Sequence, residues 1–268
     1  MAGNPIFQRL DLLTGPAAVA ILQRSRVAVF GLGGVGSWAA EALVRSGVGD
    51  MTLVDNDVIC ITNVNRQLQA TTRNVGKAKA TELADRLADL NPRCRLNPVQ
   101  KVYEPDTADS FDLGGFDYVL DCIDSISNKI DLILRAHAAG ATLFASMGAA
   151  GKLDPTRIKV ASIWDTQGCP LARIVRRGLR ERGFAGDFPA VYSPEVIPPA
   201  ASTNVACGTH KCFCPEFTPT GGGEHKDWCA TKKIINGSAV HITATFGMFL
   251  AGLVLQDARE RAAGLPIA

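Results

Sequence analysis

Between Arg26 and Lys79 the chain gathers groups suited to holding phosphate and carboxylate. Gly31, Gly33, Gly34, Val35, Gly36 and Ser37 form one turn, followed by Asp55, Asp57, Asn63, Asn65, Arg66 and Lys79. A glycine has no Cβ, so it reaches positive φ and lets backbone N–H groups close on an anion. A helix starting near Ser37 would aim its unpaired N–H groups and positive dipole end at the same point. Gly31, Gly33 and Gly36 spell GxGxxG straight after the apolar run Arg26-Val27-Ala28-Val29-Phe30. Asp55 closes the next apolar run, 51–54, about where a carboxylate would meet a ribose hydroxyl. The pattern predicts a nucleotide site. Hydride transfer has no use for an arginine beside the phosphates, whereas Arg66 and Lys79 suit a triphosphate. Asp124 ends a further buried run, 119–124, at the sheet edge where ligands of open α/β folds collect, so it is placed to hold Mg²⁺ with help from Asp57.

Positioning these groups requires alternating strands and helices. Apolar runs at 26–30, 51–54, 95–102, 117–121 and 142–145 read as strands, buried on both faces. Helical spacing fits 17–23, 38–45, 71–90 and 125–139, with Asn128 and Lys129 of the last segment expected to face the strand ends. The alternation predicts a doubly wound, mainly parallel, Rossmann-like α/β sheet. Beyond Lys152 a strand at 158–164 precedes a helix opened by Cys169-Pro170. On it Arg173, Arg176, Arg177 and Arg180 fall at i, i+3, i+4 and i+7, one basic face suited to a phosphate backbone. Ser238 to Leu255 is long and apolar enough to resemble a membrane span. His241, Thr243, Thr245 and Gly247 interrupt it and an amphipathic stretch follows, so a buried interface helix is expected instead of a membrane segment.

Composition narrows the alternatives. The 268 residues, 47% of them apolar, can build a substantial core. A net charge of +2 gives no bulk attraction for nucleic acid, so RNA binding would rest on a local patch. The start, Met1-Ala2-Gly3-Asn4-Pro5, lacks the features of a signal peptide, and the cytosol is the expected compartment. There the eight cysteines would be metal ligands, thiols or small buried residues before they would be disulfides. Cys207, Cys212, Cys214 and Cys229 share a segment poor in helix and strand signal. Four soft ligands suit tetrahedral Zn²⁺, but no paired CxxC knuckle is present, so free or sulphur-handling thiols stay open beside zinc. Cys60, Cys94 and Cys122 read as structural.

The glycine loop 31–37, the DxD at 55–57, the NxNRQ at 63–67, the KxK at 77–79 and the DCxD at 121–124 resemble the ubiquitin-activating-enzyme-like ATP-dependent adenylating enzymes. The resemblance spans about residues 5–160. Residues 33–43 and Ala244-Thr245-Phe246-Gly247 are similar to the tRNA threonylcarbamoyladenosine dehydratase branch, which the chain follows except around 200–232. This implies an ATP-binding adenylation region at 1–160, and at 161–268 a tRNA-binding and dimerisation extension continuous with it. It also implies ATP phosphates over Gly33 to Ser37, ribose on Asp55, Mg²⁺ near Asp124, and charge offset by Arg66, Lys79 and an N-terminal Arg9 supplied across a homodimer. The implied reaction adenylates the threonyl carboxylate of threonylcarbamoyladenosine beside the tRNA anticodon and closes a ring with loss of water. The alternatives are adenylation of a ubiquitin-like sulphur carrier, which brings a sulphur-transfer partner, an ATP-binding scaffold without turnover, and an NAD dehydrogenase.

Overall fold

A computed structural model describes residues 4–196 and 237–264. Its centre is β1 (Arg26–Phe30), flanked in parallel by β2 (Asp50–Val54) and β4 (Tyr118–Asp121). β3 (Arg95–Val99) extends one side, and β5 (Thr142–Ser146), β7 (Pro189–Tyr192) and β6 (Lys159–Ser162) the other, giving the order β3-β2-β1-β4-β5-β7-β6. Only β6 runs antiparallel to its neighbour, β7. The sheet therefore continues across residue 160. β7 carries no separate strand signal in the sequence, yet it lies between β5 and β6 with Ala190 and Val191 in register with Ala145 and Ser146.

Alternate residues of β1 feed opposite cores, as a period of two requires. Val27 and Val29 join Leu22, Leu43, Met51, Leu83, Tyr118, Phe246 and Leu250 on one face. Ala28 and Phe30 join Tyr103, Val119, Ile133, Val175 and Leu179 on the other. The first face is covered by α2 (Pro16–Arg24), α3 (Gly36–Arg45), α4 (Lys79–Ala88) and α7 (Val240–Ala262), the second by α5 (Ile126–Ala138) and α6 (Pro170–Glu181). The short α1 (Gln8–Thr14) precedes them and buries none of its own residues.

α7 has the length and hydropathy of a membrane span. In the fold, Ile242, Phe246, Leu250, Val254 and Ala258 form its buried stripe against α2 and α3. Gly247 makes the approach to α3 close: a Cβ there would lie 2.6 Å from Val35 O and 2.8 Å from Ala39 N. Asp257 accepts from the Tyr118 hydroxyl at 2.6 Å and pairs with Arg261 at 2.6 Å. This is a core helix with an exposed flank at Met248 and Phe249.

The helix expected from 71 begins only at Lys79. Gly76 takes φ 88°, its N–H donates to Ile59 O, and Val58 bridges Ala78, so residues 71–78 are committed to turns that hold the 55–60 segment. Lys79 is thereby the first residue of the helix, beside the loop that leaves β2.

Candidate functional site

The turn after β1 is built around three glycines with different duties. Gly31 has φ 88°, and a Cβ there would stand 2.7 Å from Cys122 O, so no other residue fits without moving the end of β4. At Gly36 a Cβ would meet Gly31 O at 2.0 Å, which fixes the tight junction of turn and helix. Gly33 is open among the described residues, of which Gln67, with Nε2 at 3.9 Å, is the one that comes near. Val35 caps α3 without a side-chain hydrogen bond, so the first N–H groups of the helix have no side-chain acceptor at the turn, a setting that favours an anion. Ser37 does not point to a ligand. It is fully buried, its hydroxyl donates to Gly33 O at 2.7 Å and it accepts from Leu68 N–H at 3.2 Å.

Asp55, at the end of β2, binds the same turn. Its Oδ2 accepts from Leu32 N–H at 2.7 Å and its Oδ1 from Asp57 N–H at 2.8 Å. Burial raises its pKa, and the Lys79 ammonium 3.9 Å away opposes the rise. Lys79 Nζ lies 2.6 Å from Asp57 Oδ2, so the lysine is held between two carboxylates. Asn63 is buried, with Oδ1 accepting from Cys60 N–H at 2.9 Å. Its side chain shapes the 60–66 loop from within.

Arg66 is fixed from three sides. Its Nη1 donates to Thr62 O at 2.8 Å and to Asn65 Oδ1 at 2.9 Å, and its carbonyl accepts from Trp38 Nε1 at 3.0 Å. Burial lowers its pKa, while Cys60 and then Asp124 pull it back, which puts the exposed Asp124 at the end of β4 within electrostatic reach of the guanidinium. Among the described residues neither Nε nor Nη2 of Arg66 donates a hydrogen bond.

The strand ends of β1, β2 and β4 thus converge the glycine turn, Asp55, Asp57, Asn63, Asn65, Arg66, Lys79 and Asp124. Arg9 lies elsewhere. Two residues from it, Phe7 packs over Gly47 just before β2, which is the opposite edge of the sheet from the glycine turn. The α6 arginines are also apart and do not behave alike. Arg173, Arg177 and Arg180 are exposed, Arg180 over the Trp164 ring at 5.2 Å and Arg177 3.5 Å from Glu181. Arg176 turns inward and donates to the carbonyl and hydroxyl oxygens of Thr166. Cys207, Cys212, Cys214 and Cys229 lie outside the described residues.

The burial and the partners of several groups escaped the sequence reading. Lys129, expected over the strand ends, is fully buried, with Nζ 2.7 Å from Asp121 Oδ2 and 3.0 Å from Ser146 O. The signal was present as an aspartate and a lysine eight residues apart across the β4 end, hidden because Asp121 looked like part of a ligand motif. Lys152 is buried too, donating to Glu195 O at 2.6 Å, while Glu195 accepts from Leu153 and Asp154 N–H at 3.0 Å each. Burial pushes the Cys122 thiol up to about 12 and the Cys94 thiol up to about 11, which keeps both protonated and inert.

Among the described residues no three His, Cys, Asp or Glu side chains converge as a metal cage. Mg²⁺ needs none, since it commonly takes one or two carboxylates and completes its shell with water and substrate phosphates. The exposed Asp124 carboxylate beside the glycine turn fits that donor set.

The model of the ThiF family matches residues 8–191. The tRNA threonylcarbamoyladenosine dehydratase of Bacillus subtilis is 44% identical over 70% of this chain and 74% of its own length. That of Escherichia coli K12 is 35% identical over 94% of this chain and 92% of its own. The crystal structure of the E. coli enzyme in complex with AMP matches with a TM-score of 0.80 and 32% identity, covering 96% of this chain and 95% of that one. Its complex with ATP gives 0.78 and 32%, covering 97% and 96%. The molybdopterin-synthase adenylyltransferase of Salmonella typhimurium is 35% identical over 50% of this chain and 52% of its own.

Proposed function

The chain belongs to the ThiF family and, within it, to the tRNA threonylcarbamoyladenosine dehydratases, and from that premise we propose how its own residues carry the reaction. The enzyme uses ATP to activate the threonyl carboxylate of threonylcarbamoyladenosine in tRNA as an acyl-adenylate, then closes a ring with loss of water. The observation that carries this reading is the convergence of an open glycine turn with Arg66 and Asp124 at one sheet edge, in a chain that superposes on a dehydratase holding ATP.

ATP phosphates lie over Gly33 and the start of α3, and the Asp55 carboxylate takes the ribose. The threonyl carboxylate attacks the α-phosphate, the α–β phosphoanhydride bond breaks and pyrophosphate leaves, while Arg66 and Lys79 offset the growing negative charge. Each such cation contributes roughly 2 to 4 kcal/mol by analogy with oxyanion donors in a dry site. Mg²⁺ would be held by Asp124, where it supplies further charge neutralisation on the phosphates. In the second step an internal nucleophile of the threonylcarbamoyl group attacks the activated carbonyl and AMP leaves. Ring closure outruns water because both reacting atoms belong to one side chain.

Phe7, two residues from Arg9, packs beside Gly47 ahead of β2, away from the glycine turn, which supports a role for Arg9 in the cradle of a second copy. Leu12 and Leu13 on the same short helix are 85% and 78% exposed, an apolar surface suited to docking on a homodimer partner. Arg173, Arg177 and Arg180 supply the exposed basic face for the tRNA backbone. A Zn²⁺ at Cys207, Cys212, Cys214 and Cys229 is a separate proposal. Metal analysis of wild type against Cys212→Ser tests it, and equal or absent zinc removes it.

The test of the reaction incubates the protein with ATP, Mg²⁺ and either modified tRNA or a ubiquitin-like carrier. Pyrophosphate release with tRNA, together with loss of one water from the modified nucleoside, is expected. Release driven by the carrier alone would transfer the chain to the adenylyltransferases that match it over half its length.

A further inference from the structure

The Asn65 carboxamide is engaged at both ends. Its Oδ1 accepts from Arg66 Nη1 at 2.9 Å and its Nδ2 donates to the Ser238 carbonyl at 2.9 Å. Ser238 stands two residues before α7, in a stem pinned on its other side. There the Gly151 N–H donates to Gly237 O at 2.8 Å, and a ring nitrogen of His241 lies 2.9 Å from Leu153 O. The helix that follows backs the glycine turn, with Thr243 3.0 Å from where a Cβ on Gly34 would stand. One planar group therefore links the guanidinium of the site to the start of the helix behind it.

The chemistry explains why this residue is a carboxamide. A carboxamide carries its acceptor and its donor on separate atoms of one planar group, and Asn is short enough to bond its sequence neighbour while reaching a carbonyl 173 residues away. An aspartate would set a carboxylate against Ser238 O, and an alanine would leave both partners unmet. A guanidinium held before ATP arrives loses less rotational freedom during reaction, and both of its bonds use Nη1, which leaves the Nε and Nη2 edge for an anion.

We propose that Asn65 is a positioning residue, orienting Arg66 for carboxylate adenylation and keeping it aligned with the stem of α7, and not a ligand of the nucleotide. This rests on the adenylation reading of the same site. The test is a double-mutant cycle of Asn65→Ala and Arg66→Ala in the full chain, read by ATP-dependent pyrophosphate release with modified tRNA. Asn65→Ala should lower kcat roughly 10- to 100-fold, the scale of a misplaced catalytic group, and change KM for ATP by less than about threefold. In the Arg66→Ala background it should cost nothing more. Amide exchange across 237–243 should quicken in Asn65→Ala and in the milder Asn65→Ser, but not in Arg66→Ala.

A loss equally large in both backgrounds, a raised KM with kcat intact, or unchanged exchange at 237–243 would each overturn the proposal. The exposure of Asn65 at the surface makes misfolding of these variants the least expected result, and the exchange measurement reports it directly. If Arg66→Ala is itself fully active, the adenylation reading of the site fails. If Arg66→Ala is impaired and Asn65→Ala is not, only this inference fails.

Discussion

Two lysine–aspartate pairs lie under the same edge of the sheet, one at the exit of β2 and one at the exit of β4, and they differ in what can reach them. Lys79 is 2.6 Å from Asp57, whose side chain is 25% exposed, while Lys129 is 2.7 Å from Asp121 with neither side chain exposed. The second pair is closed: Lys129 also donates to Ser146 O, and Asp121 also accepts from Ile123 N–H at 3.0 Å. It joins the ends of β4 and β5 and offers nothing to a ligand. The first pair is half open, so an arriving triphosphate can take the lysine over from Asp57. The distances alone would not separate them; the exposure of the carboxylate does.

Removing Lys129 should do the most damage. Lys129→Met leaves Asp121 charged and buried, at a cost of about 3–5 kcal/mol of folding stability, and adding Asp121→Asn should restore most of it. Urea denaturation checks this, and a loss below about 1 kcal/mol would erase the distinction between the pairs. Lys79→Ala should cost clearly less stability, because Asp57 reaches water and Asp55 keeps its two backbone N–H donors. It should slow pyrophosphate release by about 10²–10³-fold. Equal destabilisation by both lysine variants, with activity kept in Lys79→Ala, would break the comparison.

The same logic divides the arginines of α6. Arg176→Ala, which strands Thr166, should cost about 1–2 kcal/mol of stability. Arg173→Ala should leave stability within about 0.5 kcal/mol while weakening tRNA binding and flattening its salt dependence. Filter binding across a salt series, beside thermal unfolding, separates the two effects.

The smallest effect is in pH. Burial raises the Asp55 carboxyl above its ordinary 3.8, with Lys79 opposing. A raised folded pKa means the contribution of Asp55 to stability is fully present below the unfolded value and is lost as pH rises through the folded one. ATP binding runs the other way, because the ribose needs the ionised acceptor, so affinity should fall as pH drops through that raised value. Calorimetric titration of ATP in wild type and Asp55→Asn checks it, and Asn should flatten the acid side.

Much of the cradle was legible because its signals are local. The glycine turn, Asp55 and Arg66 each follow a strand or helix boundary in short sequence, and β1 is buried without a break from Val27 to Phe30, as its continuous apolar run requires of a central strand. What escaped depends on distant partners. β7 takes its place between β5 and β6 by pairing that no local pattern encodes. α4 starts late because residues 74–78 are held against 58 and 59. Lys129 is expected over the strand ends but not buried on Asp121, and Arg176 reads as part of an exposed basic face; their acceptors, Asp121 and Thr166, sit on neighbouring segments. Ser37 and Asn63 matched ligand positions in type but bond the backbone instead.

Activation of the carboxylate through AMP can be followed atom by atom. With the threonyl carboxylate of the tRNA nucleoside labelled by heavy oxygen, one label should appear in the AMP released as the ring closes and the nucleoside loses one water. Cyclised product accompanied by unlabelled AMP, or labelled nucleoside left unchanged with ATP and Mg²⁺ present, would contradict adenylation at this cradle.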